Sequence, residues 1–206
     1  MSGVRVFLGG EGRNELGSWA REPVYQDDSE SGVVKSLLLK VQDDGWNVVG
    51  GRTWKSIRKL RAHGPSPREE QNVRGLVLDA LEVKAHLVAF VRDSDGDPRR
   101  SEQIGRAIED ALSDFPRVAA VGGAAVPVLE AWLLALLGET GTELISKAAA
   151  QKRLAQRGVT STSKMADAVF QASLEGIPPD AKALRSWLAQ AKSVLPPLVE
   201  APTRAG

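Results

Sequence analysis

The chain has 206 residues, 42% hydrophobic and 26% charged, with a formal net charge of +1. That balance is ordinary for a soluble globular protein and the length suffices for one well-packed domain. It contains no cysteine and two histidines, His63 and His86, which excludes disulfides, thiolate catalysis, cysteine-ligated zinc and a histidine-rich metal site.

In chain order, Val4 to Leu8 reads as the first strand, followed by an irregular stretch from Glu11 to Gln26. Ser31 to Gln42 has the spacing of an amphipathic helix, with Val33, Val34, Leu37, Leu38 and Val41 on one face and Asp28 or Ser29 as cap. Trp46 to Val49 is a short second strand, turned by Gly50-Gly51. A basic segment, Arg52 to Arg61, carries one or two helical turns, and His63 to Pro67 is a loop. A helix over Arg68 to Val83 buries Val73, Leu76, Val77, Ala80 and Leu81. The third strand is His86 to Val91, with His86 a core or strand-end residue.

Ser101 to Leu112 follows as a helix capped by Ser101, then a fourth strand at Val118 to Val121 and an apolar helix from Val128 to Leu137. The remainder is helical over Glu143 to Arg157, Ser163 to Leu174 and Pro179 to Val194. Pro196-Pro197 and Pro202 are expected in a frayed tail. Strands alternating with helices make an α/β fold with a parallel four-stranded sheet. The organisation expected is an α/β domain over residues 1–138 and a C-terminal helical extension over 139–206. The longest apolar stretch, Ala124 to Leu137, contains Glu130 and is too short to span a bilayer. With the N-terminus entering a strand directly, a cytoplasmic location and no membrane partner are expected.

Two acidic segments end apolar runs: Glu11-Gly12-Arg13-Asn14-Glu15 after the first strand, and Asp93-Ser94-Asp95-Gly96-Asp97 after the third. Runs without a polar face belong to strands buried on both sides. Ligands of such sheets lie beyond the carboxyl ends of the strands, where both segments fall. Carboxylates crowded there repel one another unless a cation sits among them, and oxygen-only ligands suit Mg²⁺ or Mn²⁺.

Together these residues resemble the TOPRIM domain of topoisomerases, primases and OLD-family nucleases. Glu11-Gly12-Arg13-Asn14-Glu15 is similar to its Glu-Gly-x-Thr-Glu element, with Asn14 in place of threonine, and Asp93-Ser94-Asp95 matches its second motif. The segment from Pro127 through Glu130-Ala131-Trp132-Leu133-Leu134-Ala135 looks like one in a stand-alone branch of that family. The resemblance implies metal-dependent cleavage of nucleic-acid phosphodiesters, DNA ahead of RNA, and a role in defence. It also implies a separately encoded ATPase as a partner, because the chain has no Walker motif. A homo-oligomer stays open.

Asp93 and Asp95 are then the principal metal ligands, and Glu11 a further ligand or the general base. Glu15 completes the site or is a solvated acid of a first helical turn. Glu130 is a metal ligand or a structural carboxylate, and Asp97 is a loop acid. Arg13, Arg52, Lys55, Arg58, Lys59, Arg99 and Arg100, with Arg92 and Arg61 nearby, form either a phosphate-gripping rim or a salt-bridged surface. Trp54 is a packing residue or a stacking platform. Lys164 is a candidate charge partner in the C-terminal helices.

Three other readings compete. A catalytically silent subunit would bind nucleic acid or the ATPase without cutting. A phosphatase of haloacid-dehalogenase type would use Asp93 as nucleophile and Asp95 as acid, although that motif normally opens its domain and is completed by a later acidic pair. A calcium loop is disfavoured by Pro98 at its glycine position.

Overall fold

The computed structural model describes residues 3–59 and 67–201. Arg61, His63 and Pro202 lie outside them. Four strands, β1 (Val4–Gly10), β2 (Trp46–Thr53), β3 (Leu87–Asp93) and β4 (Ala119–Ala125), form one all-parallel sheet in the order β2-β1-β3-β4. The helices are α1 (Arg13–Leu16), α2 (Val33–Val41), α3 (Arg68–Glu82), α4 (Pro98–Asp114), α5 (Leu129–Leu136), α6 (Lys147–Gln156), α7 (Thr162–Gln171) and α8 (Lys182–Glu200). The expected parallel four-stranded α/β architecture, with helices at the C-terminal end, is the one the chain adopts.

Strand side chains feed two cores, as the two-residue period demands. Val6, Leu8, Leu87, Ala89 and Val91 enter a large core with α2, α5, α6, α7 and α8, while Phe7, Val88 and Phe90 enter a smaller one with α3 and α4. The larger core is continuous from β1 to Leu195, so the C-terminal helices share it with the sheet. Across the strands Phe90 pairs with Gly9 on one side and Gly122 on the other. A Cβ on Gly122 would stand 2.2 Å from the Phe90 ring, so the bare glycine makes the room that this ring fills.

Several boundaries differ from the sequence reading. All four strands run two or more residues further toward their carboxyl ends, since the glycines and Asp93 still pair in the ladder. Gly50-Gly51, read as a turn, lies within β2 together with Arg52, and the described part of the basic segment after it forms turns, not helix. α4 begins at Pro98, not Ser101: Asp97 caps it, its carboxylate accepting from Arg99 N–H at 3.0 Å, and Pro98 has the φ that a first helical residue needs. The loop acid is therefore a helix cap. α2 starts after Gly32 without a side-chain cap, and Asp28 instead pairs with Lys35 at 2.5 Å. α6 starts at Lys147, where Ser146 caps it. The expected fraying at Pro196-Pro197 does not occur: both lie inside α8, which reaches Glu200 because Leu195 before them and Leu198 and Val199 after them pack on the core. His86 ends up just ahead of β3, its Nδ1 accepting from Arg5 N–H at 3.0 Å, a strand-end role.

Candidate active site at the carboxyl edge of the sheet

Glu11 leaves β1 at its carboxyl end, and the chain turns at once into α1. Glu15, in the first turn of α1, folds back so that its Oε2 accepts from Gly12 N–H at 2.8 Å, and its side chain is buried. The turn is this tight because residue 10 is glycine: a Cβ there would lie 2.4 Å from that of Glu15. Burial pushes Glu15 above the ordinary carboxylate range, and Asp93 and Glu130 add to the rise against the Gly12 hydrogen bond.

Asp93 is the last residue of β3 and is 5% exposed. Its Oδ1 accepts from Leu129 N–H at 2.8 Å, at the start of α5, and its own N–H donates to Glu11 Oε1 at 3.2 Å. Burial lifts Asp93 above its ordinary value and Glu130 reinforces the lift, while the Leu129 N–H and Lys147 oppose it. The following turn is bonded to the β4–α5 connection: Ser94 N–H donates to Ala125 and Asp95 N–H to Pro127, at 2.8 and 3.0 Å. Asp95 stands in the left-handed region, φ 50°, ahead of Gly96, and its carboxylate shares the Lys147 ammonium with that of Asp93. Glu130, in the first turn of α5, is buried and accepts from Gln151 Nε2 at 3.2 Å.

The two motif segments and the Glu130 segment thus meet at one edge of the sheet. The cations that such crowding requires come from the chain itself. Lys147 Nζ lies 3.3 Å from Asp93 Oδ2 and 3.6 Å from Asp95 Oδ1. Arg92 pairs with Glu11 and lies 3.9 Å from Asp95. Arg100 bonds Asp95 Oδ2 at 2.7 Å and the Asp93 carbonyl at 2.8 Å. Behind the arginines the buried Glu69, from the first turn of α3, holds Arg100 at 3.2 Å and faces Arg92 at 3.8 Å. Burial draws the Arg92 guanidinium below its ordinary value, and neighbouring Arg100 adds to that.

Three participants escaped the sequence reading. Glu69 looks like any acid of a first helical turn, and Gln151 carries no motif. Lys147 did leave a trace: a cation in the first turn of a helix opposes the helix dipole, and such a placement asks for a nearby anion.

The expected basic rim divides. Arg100 is inside the site, and Arg52 and Arg58 are both bonded to the buried Asp79, at 3.2 and 2.8 Å. Arg13 pairs with Glu30 at 2.6 Å and Arg99 with Asp97 at 3.3 Å, both on the surface. Lys55 and Lys59 are exposed, with no ion-pair partner among the described residues. Trp54 is a packing residue: its ring is buried against Phe90 at 5.5 Å, and its Nε1 donates to Glu69 at 2.9 Å. Lys164 is exposed on α7, its backbone N–H bonded to the Ser161 cap.

Among the described residues no group of three or more His, Asp or Glu side chains is arranged to hold a metal ion. Two carboxylate oxygens do converge, Asp93 Oδ2 and Asp95 Oδ1, and the charge between them is the Lys147 ammonium. Mg²⁺ is commonly held by one or two carboxylates, its remaining positions filled by water and substrate phosphate, so this donor pair fits it. Among the described residues no helix is long and apolar enough to cross a membrane. Compared with known proteins, the chain matches no family model, no curated protein and no solved structure.

Proposed function

We propose that this protein is a TOPRIM-type, Mg²⁺- or Mn²⁺-dependent nuclease that hydrolyses phosphodiesters of nucleic acid, DNA ahead of RNA. The observation that carries the reading is the convergence of Asp93 Oδ2 and Asp95 Oδ1 on a single cationic centre at the carboxyl edge of the sheet. In this reading Asp93 and Asp95 hold the ion, which would neutralise charge on the phosphate in the transition state. Leu129 N–H locks the Asp93 carboxylate in one rotation, and Glu15 and Glu130 add negative potential behind it. Glu11, held by Arg92 and the Asp93 N–H, would serve as the general base for the attacking water. Lys55 and Lys59, exposed and without an ion-pair partner among the described residues, are the first candidates for gripping backbone phosphates.

The test is nicking of supercoiled plasmid by the purified chain with Mn²⁺, alongside the double variant Asp93→Ala plus Asp95→Ala. Cleavage by the wild type and its loss in the variant support the assignment. Absence of cleavage together with absence of Mn²⁺ binding by calorimetry would refute it. A second reading, a silent subunit of a separately encoded ATPase, is favoured by the neutralisation of the acids through Arg92, Arg100 and Lys147; it predicts nucleic-acid or ATPase binding without cleavage. Hydrolysis of a small phosphomonoester without plasmid nicking would favour the phosphatase. A cytoplasmic role in defence belongs to the same proposal and is tested by phage challenge of cells with and without the active chain.

A further inference from the structure

We propose that Lys147 is a built-in occupant of the cation position between Asp93 and Asp95, which a divalent ion must displace in order to bind. The inference rests on the metal-dependent reading of this site and adds a competitor to it.

Each aspartate has one oxygen committed elsewhere. Asp93 Oδ1 is held by Leu129 N–H at 2.8 Å, and Asp95 Oδ2 by Arg100 at 2.7 Å. The two oxygens left, Asp93 Oδ2 and Asp95 Oδ1, are those that Lys147 Nζ contacts, at 3.3 and 3.6 Å. An ion taking both must therefore take the place of the ammonium. The contacts are longer than a charge-assisted bond to one carboxylate, ~2.7–2.9 Å, as expected of a charge shared between two. A lysine ammonium is ordinarily charged at neutral pH, and the two carboxylate oxygens beside it favour that form.

The same lysine is built to leave. Its backbone is fixed as the first residue of α6, where Ser146 Oγ accepts from Ala149 N–H, so the helix does not depend on where the side chain points. The side chain is 49% exposed, so the ammonium regains water when it leaves, while the ion that enters takes over its charge beside the buried Asp93. Its ammonium, in the first turn of α6, is opposed by the helix dipole, which lowers the cost of departure further. Its removal leaves two carboxylates facing one another, with Glu15 and Glu130 behind, a field that favours a doubly charged ion over a single charge.

The test titrates Mn²⁺ alone into wild type, Lys147→Gln and Lys147→Ala by calorimetry, with circular dichroism to confirm folding. Both variants are expected to bind Mn²⁺ at least about fivefold more tightly than the wild type, as befits the loss of a competing ion pair. In parallel, acylation of Lys147 followed by mass spectrometry is expected to speed up in saturating Mn²⁺, while Lys55 and Lys59 do not change. Equal or weaker affinity in the variants, or unchanged labelling of Lys147 in a wild type that binds Mn²⁺, overturns the competitor and leaves the metal site standing. If none of the three proteins binds Mn²⁺, the metal-dependent reading falls, and the competitor with it. Binding by the variants and not by the wild type is the strongest support.

Discussion

Two buried aspartates in this molecule meet opposite electrostatic surroundings. Asp79, 3% exposed on α3, faces two guanidiniums, Arg52 and Arg58, each within 3.2 Å. Asp93, 5% exposed at the end of β3, faces one half-exposed lysine and has Glu15 and Glu130 as like-charged neighbours. The first arrangement compensates its charge in full, with Arg58 shared between Asp79 and Glu82, and tethers the end of β2 and the segment after it to α3. The second under-compensates, and burial together with Glu130 drives the carboxyl away from its charged form. A carboxylate buried to hold a structure together collects cations. One kept short of them is available to a cation from outside.

The largest stability effect that this contrast predicts is at Asp79. Asp79→Asn leaves two arginines facing a neutral amide, and urea unfolding is expected to show a loss of roughly 2–3 kcal/mol with Mn²⁺ binding unchanged. A stability equal to wild type would remove the structural role given to Asp79.

Asp93→Asn should move the other way. The amide keeps the acceptor for Leu129 N–H and removes a carboxylate that burial disfavours, so Tm without metal is expected to rise on the order of 2–4 °C while cleavage is lost. The sign with pH follows from the same residues. Asp93 and Glu15 titrate above their unfolded values, so their contribution is fully present at low pH, below the unfolded carboxylate range, and is lost as pH rises through their folded values. Urea midpoints across pH 3 to 7 should therefore show a smaller decline toward neutrality in Asp93→Asn than in wild type. A fall in Tm in Asp93→Asn would place Asp93 with Asp79 as a structural anchor.

The smallest stability effect is expected on the rim. Lys55→Ala plus Lys59→Ala should change stability by less than about 0.5 kcal/mol, yet weaken DNA binding and reduce its salt dependence in filter or fluorescence titrations. Arg52→Ala, by contrast, should cost measurable stability through Asp79. DNA affinity unaltered in the lysine double variant would move the nucleic-acid surface elsewhere.

Much of the fold can be read along the chain because its signals are local. Apolar runs without a polar face mark strands buried on both sides, and the acids that follow β1 and β3 have to emerge at the carboxyl edge once the sheet is parallel. Glu11, Asp93 and Asp95 could be assigned to one place for that reason. The readings that failed were also local: Ser101 looks as good a cap as Asp97, and Pro196-Pro197 looks like a stop until the residues around them find a core.

What the sequence by itself determined is therefore the parallel α/β frame and the gathering of carboxylates at one end of it, both consequences of strand periodicity and strand polarity. Tertiary structure alone decided which cations answer those carboxylates. Lys147 reaches Asp93 from a helix 54 residues downstream, Glu69 backs the arginines from α3, and Arg52 and Arg58 are drawn off to Asp79. Charge pairing acts across a few ångströms of space and has no period along the chain, so only the packing of distant elements could assign it.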